Sequence, residues 1–331
     1  MRLAAYPRFP LVTGPTPLQR ASRLEQALGP KSPRIYIKRD DLTGLAYGGN
    51  KARKLEYLVA DALKQGATVL VTEGVTQSNH ARMTAAAAVL AGLKCVLILD
   101  ARNGADEQGN LLLDRMLGAD VRIVAGRDER IAAMKTIGEE LRSAGEIPYV
   151  IPTGGSVPLG SLGYVYGVIE LESQFFELGE VPKRVYFPNG SEGTLAGIVA
   201  AAKVLDVSWQ PLPVAVEGNA ADMVRGAMPI ISGTLELLGT SRTVESCEIT
   251  IEEGFTGEGY GIPTEAGLEA IRLLAQTEAI FLDPVYTGKA MSALISHIRS
   301  GVFTPDESVV FIHTGGTPSL FVNPGLILES L

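Results

Sequence analysis

Apolar positions along this chain switch between two periods. Short runs rich in valine, isoleucine and leucine occupy residues 34–38, 68–72, 94–99, 120–124, 148–151, 184–187, 213–217 and 308–313, and they read as strands. Residues 51–65, 79–91, 109–117, 128–143, 162–178, 194–205, 263–276 and 289–300 carry apolar side chains at helical spacing instead. In the first of these helices the stripe is Leu55, Leu58, Val59, Ala62 and Leu63. Such alternation predicts an α/β fold of parallel sheets covered by helices. Several strands are apolar throughout, which places both of their faces in a core. Residues 153–160, dense in glycine and proline, read as a hinge or crossover between two α/β lobes.

Composition narrows this picture only in part. At 331 residues the chain has room for about two domains. It is 46% hydrophobic and 20% charged, with a net charge of -8. It shows no basic run of the kind that binds nucleic acid. The two cysteines, Cys95 and Cys247, lie far apart, and Cys95 sits within an apolar strand, so no disulfide framework is implied. The first fourteen residues lack an apolar signal core. The longest apolar stretch, residues 84–99, is broken by Gly92 and Lys94 and is too short to span a bilayer. A soluble protein of a reducing, cytoplasmic compartment is expected, with no membrane or nucleic-acid partner.

The chemistry concentrates where strands run out into glycine turns, the usual place for ligands in open α/β sheets. In Gly48-Gly49-Asn50-Lys51 a glycine turn delivers a lysine to the first turn of a helix. Unpaired N–H groups and the helix dipole disfavour an ammonium there, which pushes the amine towards the neutral, nucleophilic form that Schiff-base chemistry requires. The run from Val69 to Gln77 leads into Ser78-Asn79-His80 at a helix start, where capping alone accounts for Ser78 and Asn79. After the strand at 184–187, Asn189-Gly190-Ser191-Glu192-Gly193-Thr194 forms a turn whose backbone N–H groups suit an anion, such as a monophosphate without a metal. No lysine follows these glycines, so the turn is not a nucleotide P-loop. Tyr260 and Tyr286 each lie on a loop punctuated by glycine or proline, suited equally to proton exchange or to packing. His313-Thr314-Gly315-Gly316 closes the last buried strand with a hydroxyl-bearing glycine turn.

Together these segments are not independent. Lys38-Arg39-Asp40-Asp41-Leu42-Thr43-Gly44, the Gly-Gly-Asn-Lys turn with Arg53-Lys54-Leu55-Glu56, Gln77-Ser78-Asn79-His80, the run from Leu282 to Ala290 and Phe311-Ile312-His313-Thr314-Gly315-Gly316 resemble one family closely, in order and over nearly the whole chain. It is the pyridoxal-phosphate family that contains D-cysteine desulfhydrase and 1-aminocyclopropane-1-carboxylate deaminase. The resemblance implies the tryptophan-synthase-β-like fold (fold type II): two open parallel-sheet α/β lobes, usually in a homodimer. Residues 49–159 would form a small domain inserted into a large cofactor-binding domain of residues 1–48 and 160–331. It implies that Lys51 holds pyridoxal 5'-phosphate as an imine, preceded by Asn50. Asn79 would lie near the cofactor's phenolic oxygen and Ser78 beside the substrate carboxylate. Gly190, Ser191, Gly193 and Thr194 would cradle the phosphate, and Tyr260 and Tyr286 would be the active-site tyrosines.

One position departs from the pattern. Relatives usually carry a small residue where this chain has Glu192, and a carboxylate facing the phosphate would repel it. Its side chain is therefore expected to point away, leaving only the backbone to the cradle. Two other positions separate the family's activities. Ring-opening members typically carry Glu and Leu where this chain has Thr287 and Thr314. A carboxylate near the pyridine nitrogen holds a proton there, whereas a hydroxyl from Thr314 or Thr287 leaves a weaker electron sink, which suffices for β-elimination. The resemblance thus implies D-cysteine as the small amino-acid substrate, broken down to pyruvate, hydrogen sulfide and ammonia. Lys51 would be the Cα base and a tyrosine the proton donor to sulfur. The alternatives are the ring-opening deaminase, elimination from D-serine, β-chloroalanine or L-cysteate, and a non-enzymatic phosphate-ligand-binding module.

Overall fold

The computed structural model describes residues 1–101, 104–322 and 324–328. In chain order the larger elements are β1 (Leu18–Arg20), α1 (Ser22–Leu28), β2 (Arg34–Lys38), α2 (Lys51–Lys64), β3 (Val69–Val75), α3 (Asn79–Ala91), β4 (Lys94–Asp100), α4 (Gly109–Met116), β5 (Asp120–Val124) and α5 (Arg127–Ser143). They continue with β6 (Pro148–Val150), α6 (Pro158–Leu178), β7 (Arg184–Asn189), α7 (Gly193–Leu205), β8 (Gln210–Ala215), α8 (Ala220–Leu237), α9 (Glu265–Glu278), α10 (Thr287–Arg299), β9 (Ser308–Ile312) and α11 (Pro324–Leu328).

The strands form two sheets, ordered β1-β2-β9-β7-β8 and β5-β4-β3-β6. Every pairing is parallel except that of β1 with β2. Both sheets are covered on both faces, as their apolar strands require. In the larger sheet, Val185, Phe187, Val310 and Ile312 pack with α6, α7 and α8. Ile35, Ile37, Tyr186, Val309 and Phe311 pack on the other side with α1, α9 and α10. In the smaller sheet, Leu70, Leu97 and Leu99 face α2 and α3, while Val69, Val71, Val96 and Ile98 face α5.

Local chemistry sets most helix ends. The Ser78 hydroxyl accepts from Ala81 N–H at 3.2 Å, and Gly92 ends the same helix in the left-handed conformation. Pro158 opens α6 in its first turn, inside the segment read as a crossover and four residues before the helix expected from position 162. Helix α8 is not foreseen by the sequence reading. Gly226, Pro229 and Gly233 look like breakers, yet Met223, Ala227, Ile231 and Leu235 make a buried stripe at i, i+4 spacing, and Asn219 caps the helix. Strand β8 starts three residues earlier than expected. It lies at the edge of its sheet, where Pro211 and Pro213 are tolerated because one side needs no donors.

A buried charge cluster joins β2, α2 and α6. The Arg53 guanidinium donates to both carboxylate oxygens of Asp40, at 2.9 and 2.8 Å, and to Glu170. Lys38 pairs with Glu170, and Tyr164 donates to Asp40 at 2.7 Å. Burial works to raise the Asp40 carboxyl, but the Arg53 charge overrides it and holds Asp40 at about 2. Helix α6 comes close enough to seat this cluster because position 163 is glycine: a Cβ there would lie 2.1 Å from the Arg53 carbonyl oxygen.

Candidate active site

A cavity of about 720 Å³ opens beyond the carboxyl ends of strands from both sheets. Asn50, Lys51, Ser78, Asn79, Gly190, Ser191, Glu192, Thr194, Tyr260, Tyr286 and Thr314 line it. The structure thus gathers segments that are more than two hundred residues apart in the chain.

Lys51 is the first residue of α2. Burial lowers its amine to about 8, against a hydrogen bond from Lys54 and the charge of Glu192, which both pull upward. At neutral pH a useful fraction of this amine is free to act as a nucleophile. The turn before it is set by close backbone approach. A Cβ on Gly48, whose φ is +68°, would lie 1.8 Å from the Asp41 carbonyl oxygen. A Cβ on Gly315 would lie 2.7 Å from Gly49 Cα, so the two glycine turns touch backbone to backbone. Asn50 N–H donates to the Thr314 carbonyl at 3.0 Å across this contact. His313 staples the second turn: its Nε2 donates to Phe281 O at 3.0 Å, and its Nδ1 accepts from Gly315 N–H at 3.2 Å.

On the opposite wall, Ser78 caps α3 and still lines the cavity. The Asn79 side-chain oxygen accepts from Arg82 Nη1 at 2.9 Å and from Asn110 Nδ2 at 3.1 Å. His80 turns to Thr72 at 2.9 Å; the Thr72 hydroxyl donates to Ile151 O, so it receives the His80 Nε2 proton. Burial, then the charges of Lys51 and Lys54, keep this imidazole neutral.

The turn before α7 forms the cavity floor. A Cβ on Gly193 would lie 2.7 Å from both Lys54 Nζ and Ser156 Oγ. The Ser156 hydroxyl lies 3.1 Å from the Ser191 hydroxyl and 3.3 Å from Gly193 N. Thr194 Oγ1 accepts from Asn50 Nδ2 at 3.0 Å. Burial and the neighbouring Lys51 charge push the Lys54 amine far below its ordinary value. A buried lysine beside a helix N-terminus, with hydroxyls converging, is a donor set for a phosphate dianion. Glu192 adopts a left-handed backbone conformation at φ +57°. The end of its side chain reaches α8 beside Gly226, and its charge still acts on Lys51 and Lys54.

Comparison with known proteins bears on the whole chain. The profile of one family, described as "Pyridoxal-phosphate dependent enzyme", matches residues 10–315. The chain belongs to this family. It is 40% identical over 327 residues to the D-cysteine desulfhydrases of Salmonella choleraesuis (strain SC-B67) and Salmonella typhi, covering 96% of this chain and 97% of each relative. The crystal structure of an ACC deaminase homologue superposes with a TM-score of 0.90 at 38% identity, covering 99% of this chain and 98% of that one. A threonine deaminase from T.th., at 22% identity and a TM-score of 0.67 over 95% of this chain and 94% of that one, shares the fold. The fold is that of the fold-type-II pyridoxal-phosphate enzymes.

The cavity fits the family's cofactor. Lys51 presents an amine that would suit its aldehyde, and Gly190, Ser191, Thr194 and Ser156 line the wall that would suit its phosphate, whereas Gly193 and Lys54 pack directly behind that wall rather than lining it. The tyrosines complete the wall. Their hydroxyls hydrogen-bond to each other, with ring centroids 5.8 Å apart at 71°. Burial first, then Tyr260, raises the Tyr286 hydroxyl well above its usual value, so it keeps its proton. Asp283 holds the Tyr286 turn by accepting from the backbone N–H groups of Val285, Tyr286 and Thr287, each at 2.9 Å. The Thr287 hydroxyl also donates to Asp283, at 2.6 Å, and accepts from Asp283 N–H. Thr287 is thereby committed away from the cavity, and Thr314 alone of the two threonines lines it. Lys289 donates to Thr256 O and Gly259 O at 2.7 and 2.9 Å, tying the Tyr260 loop to α10.

The sequence reading quotes Lys54 and Asp283 within motifs but assigns no role to them, nor to Arg82, Asn110 or Ser156. Lys54 carries a signal, since it stands one turn after Lys51 on the same helix. Asn110 carries none, since it belongs to a separate helix.

Proposed function

We propose that the chain is a β-elimination lyase acting on D-cysteine, with pyruvate, hydrogen sulfide and ammonia as products. The observation that carries this reading is a single cavity holding a partly neutral lysine amine, a hydrogen-bonded tyrosine pair and a threonine hydroxyl at position 314. The 40% identity to D-cysteine desulfhydrases supports the choice of substrate.

When bound, pyridoxal phosphate takes up the negative charge that forms at Cα. The residues supply the rest. Lys54, Ser156, Ser191 and the backbone of the Gly190–Thr194 turn would hold the phosphate. Ser78, with neighbouring backbone N–H groups, orients the substrate carboxylate. Lys51 removes the Cα proton. The carbon–sulfur bond breaks, its electron pair leaves with sulfur, and Tyr286 or Tyr260 delivers the proton that makes the leaving group sulfide. Water then replaces nitrogen, giving pyruvate and ammonia. Thr314, which lines the cavity, would offer the ring nitrogen a hydroxyl rather than a carboxylate, and the moderate electron sink that results would suit the early departure of a good leaving group.

The homodimer, which rests on resemblance, and the cytoplasmic setting, which rests on composition and cysteine usage, belong to the same proposal. Among the described residues, no helix is long and apolar enough to cross a membrane.

The test is release of pyruvate and 2-oxobutyrate from D-cysteine, L-cysteine and 1-aminocyclopropane-1-carboxylate in parallel. Pyruvate and sulfide from D-cysteine, abolished by Lys51→Ala, is the expected result. 2-Oxobutyrate from the cyclopropane substrate would overturn the assignment in favour of ring opening. Silence on all three with cofactor bound would redirect it to D-serine, β-chloroalanine or L-cysteate. Failure to bind the cofactor would leave a phosphate-ligand-binding module.

A further inference from the structure

Arg82, on α3, and Asn110, on α4, are fully buried next to the cavity wall. Arg82 Nη1 donates to Asn110 Oδ1 at 2.6 Å and to Asn79 Oδ1 at 2.9 Å. Asn110 Nδ2 donates to the same Asn79 oxygen at 3.1 Å and to Gln77 O at 2.9 Å. Asn110 is itself locked in place. Its N–H donates to Gln77 Oε1 at 2.9 Å, and Gln77 Nε2 donates back to Gln108 O at 3.0 Å. The three side chains close a ring, and Arg82 Nη2 extends it to the Gly48 carbonyl at 3.0 Å, in the turn that leads to Lys51.

This ring leaves Asn79 no choice of orientation. Arg82 has only donors to give, and the Asn110 carbonyl is taken by Arg82, so the face that Asn110 turns to Asn79 is its N–H group. A flipped Asn79 would bring donor against donor at both contacts, inside a region that excludes water. The Asn79 amide nitrogen therefore faces the cavity, where it meets ligands as a donor and never as an acceptor.

We infer that Arg82 and Asn110 are positioning residues that lock the Asn79 amide as a hydrogen-bond donor to an ionised oxygen of the bound cofactor. The inference rests on the cavity being the pyridoxal-phosphate site. A donor at that oxygen favours its ionised form, so the bound cofactor loses its proton at lower pH than it otherwise would. The lock explains why a helix outside the cavity, α4, presses its first turn against the Gln77-Ser78-Asn79 loop.

The experiment is a pH titration of the visible absorption band of the holoenzyme, with cofactor content and melting temperature measured alongside. Asn79→Ala is expected to raise the pH of the spectral change by about one unit, the size of one hydrogen bond to a charged group. Asn110→Asp is nearly isosteric and still accepts from Arg82, but it turns an acceptor towards Asn79 and so favours the flipped amide. It is expected to produce a similar upward shift with the cofactor retained. The double variant is expected to shift no further than either single one. A titration unmoved by Asn110→Asp while Asn79→Ala moves it would overturn the lock. So would shifts that add fully, or an Asn79→Ala variant that titrates like the parent. If Asn110→Asp does not fold, Arg82→Lys, which keeps the charge and loses the fork, is read by the same criterion. A parent protein that takes up no cofactor would defeat the underlying reading instead, before any variant is compared.

Discussion

Glu192 joins two unfavourable conditions at one residue. Its φ of +57° costs about 1 kcal/mol for a residue with a Cβ. Its carboxyl is pushed up to about 7 by burial and then by Glu217, against the pull of Lys54 and Lys51. Below that value it is largely neutral, and above it a negative charge stands near the phosphate cradle. Glu192→Gln is therefore expected to tighten binding of the cofactor by about tenfold at pH 8 and by much less at pH 6. Dissociation constants from absorbance titration of the apo-protein check this. An equal effect at both values would mean that the Glu192 carboxyl keeps one protonation state across this range. The resemblance flagged Glu192 as out of place, because family members usually carry a small residue there and a carboxylate would repel a phosphate. It did not tell that the side chain lies against Gly226, since α8 was not foreseen.

Among the elements, the segment between β8 and α10 shows how little of a site has to touch a ligand. Asp283 is fully buried and closes the turn that carries Tyr286, and Gly316 accommodates it: a Cβ there would lie 2.5 Å from Asp283 Cγ. Asp283→Ala would strand the N–H groups of Val285, Tyr286 and Thr287, at a cost of roughly 3 kcal/mol of stability. The loosened tyrosine is expected to lower kcat about a hundredfold with a smaller change in KM. Chemical denaturation and steady-state kinetics read the two effects separately. Intact kcat in a destabilised variant would show that Tyr286 needs no support from this turn. The strand into His313 and the helix at 289–300 were legible as periodic runs. The two-residue extension of α10 to Thr287 was not, because Asp283 supplies it from outside the helix.

At the scale of the whole molecule, buried carboxyls make stability depend on pH. Asp114 is fully buried, and neither of its oxygens has a hydrogen-bond partner among the described residues. Burial raises it to about 8, with Arg82 pulling the other way. The folded state thus binds a proton that the unfolded chain releases near pH 4, so Asp114 subtracts stability progressively as pH rises from about 4 to about 8. The melting temperature of Asp114→Asn, relative to the parent, is expected to rise across that window. A difference that shrinks instead would mean that Asp114 is ionised and paired with Arg82 in the folded protein. The sequence by itself determined the alternating α/β architecture, the glycine turns and the lysine at a helix start, while the cofactor class came from the resemblance of its motifs to one family. Periodicity, turn residues and motif spacing record what each segment does to its own backbone. Only the tertiary structure decided that the Gly49 turn would touch the Gly315 turn, that Thr287 would be spent on Asp283, and that Asn110 would reach Asn79 from another helix. Those contacts join residues far apart in the chain. They depend on how two layered lobes pack, and a side chain's partner across such an interface leaves no periodic trace in either segment.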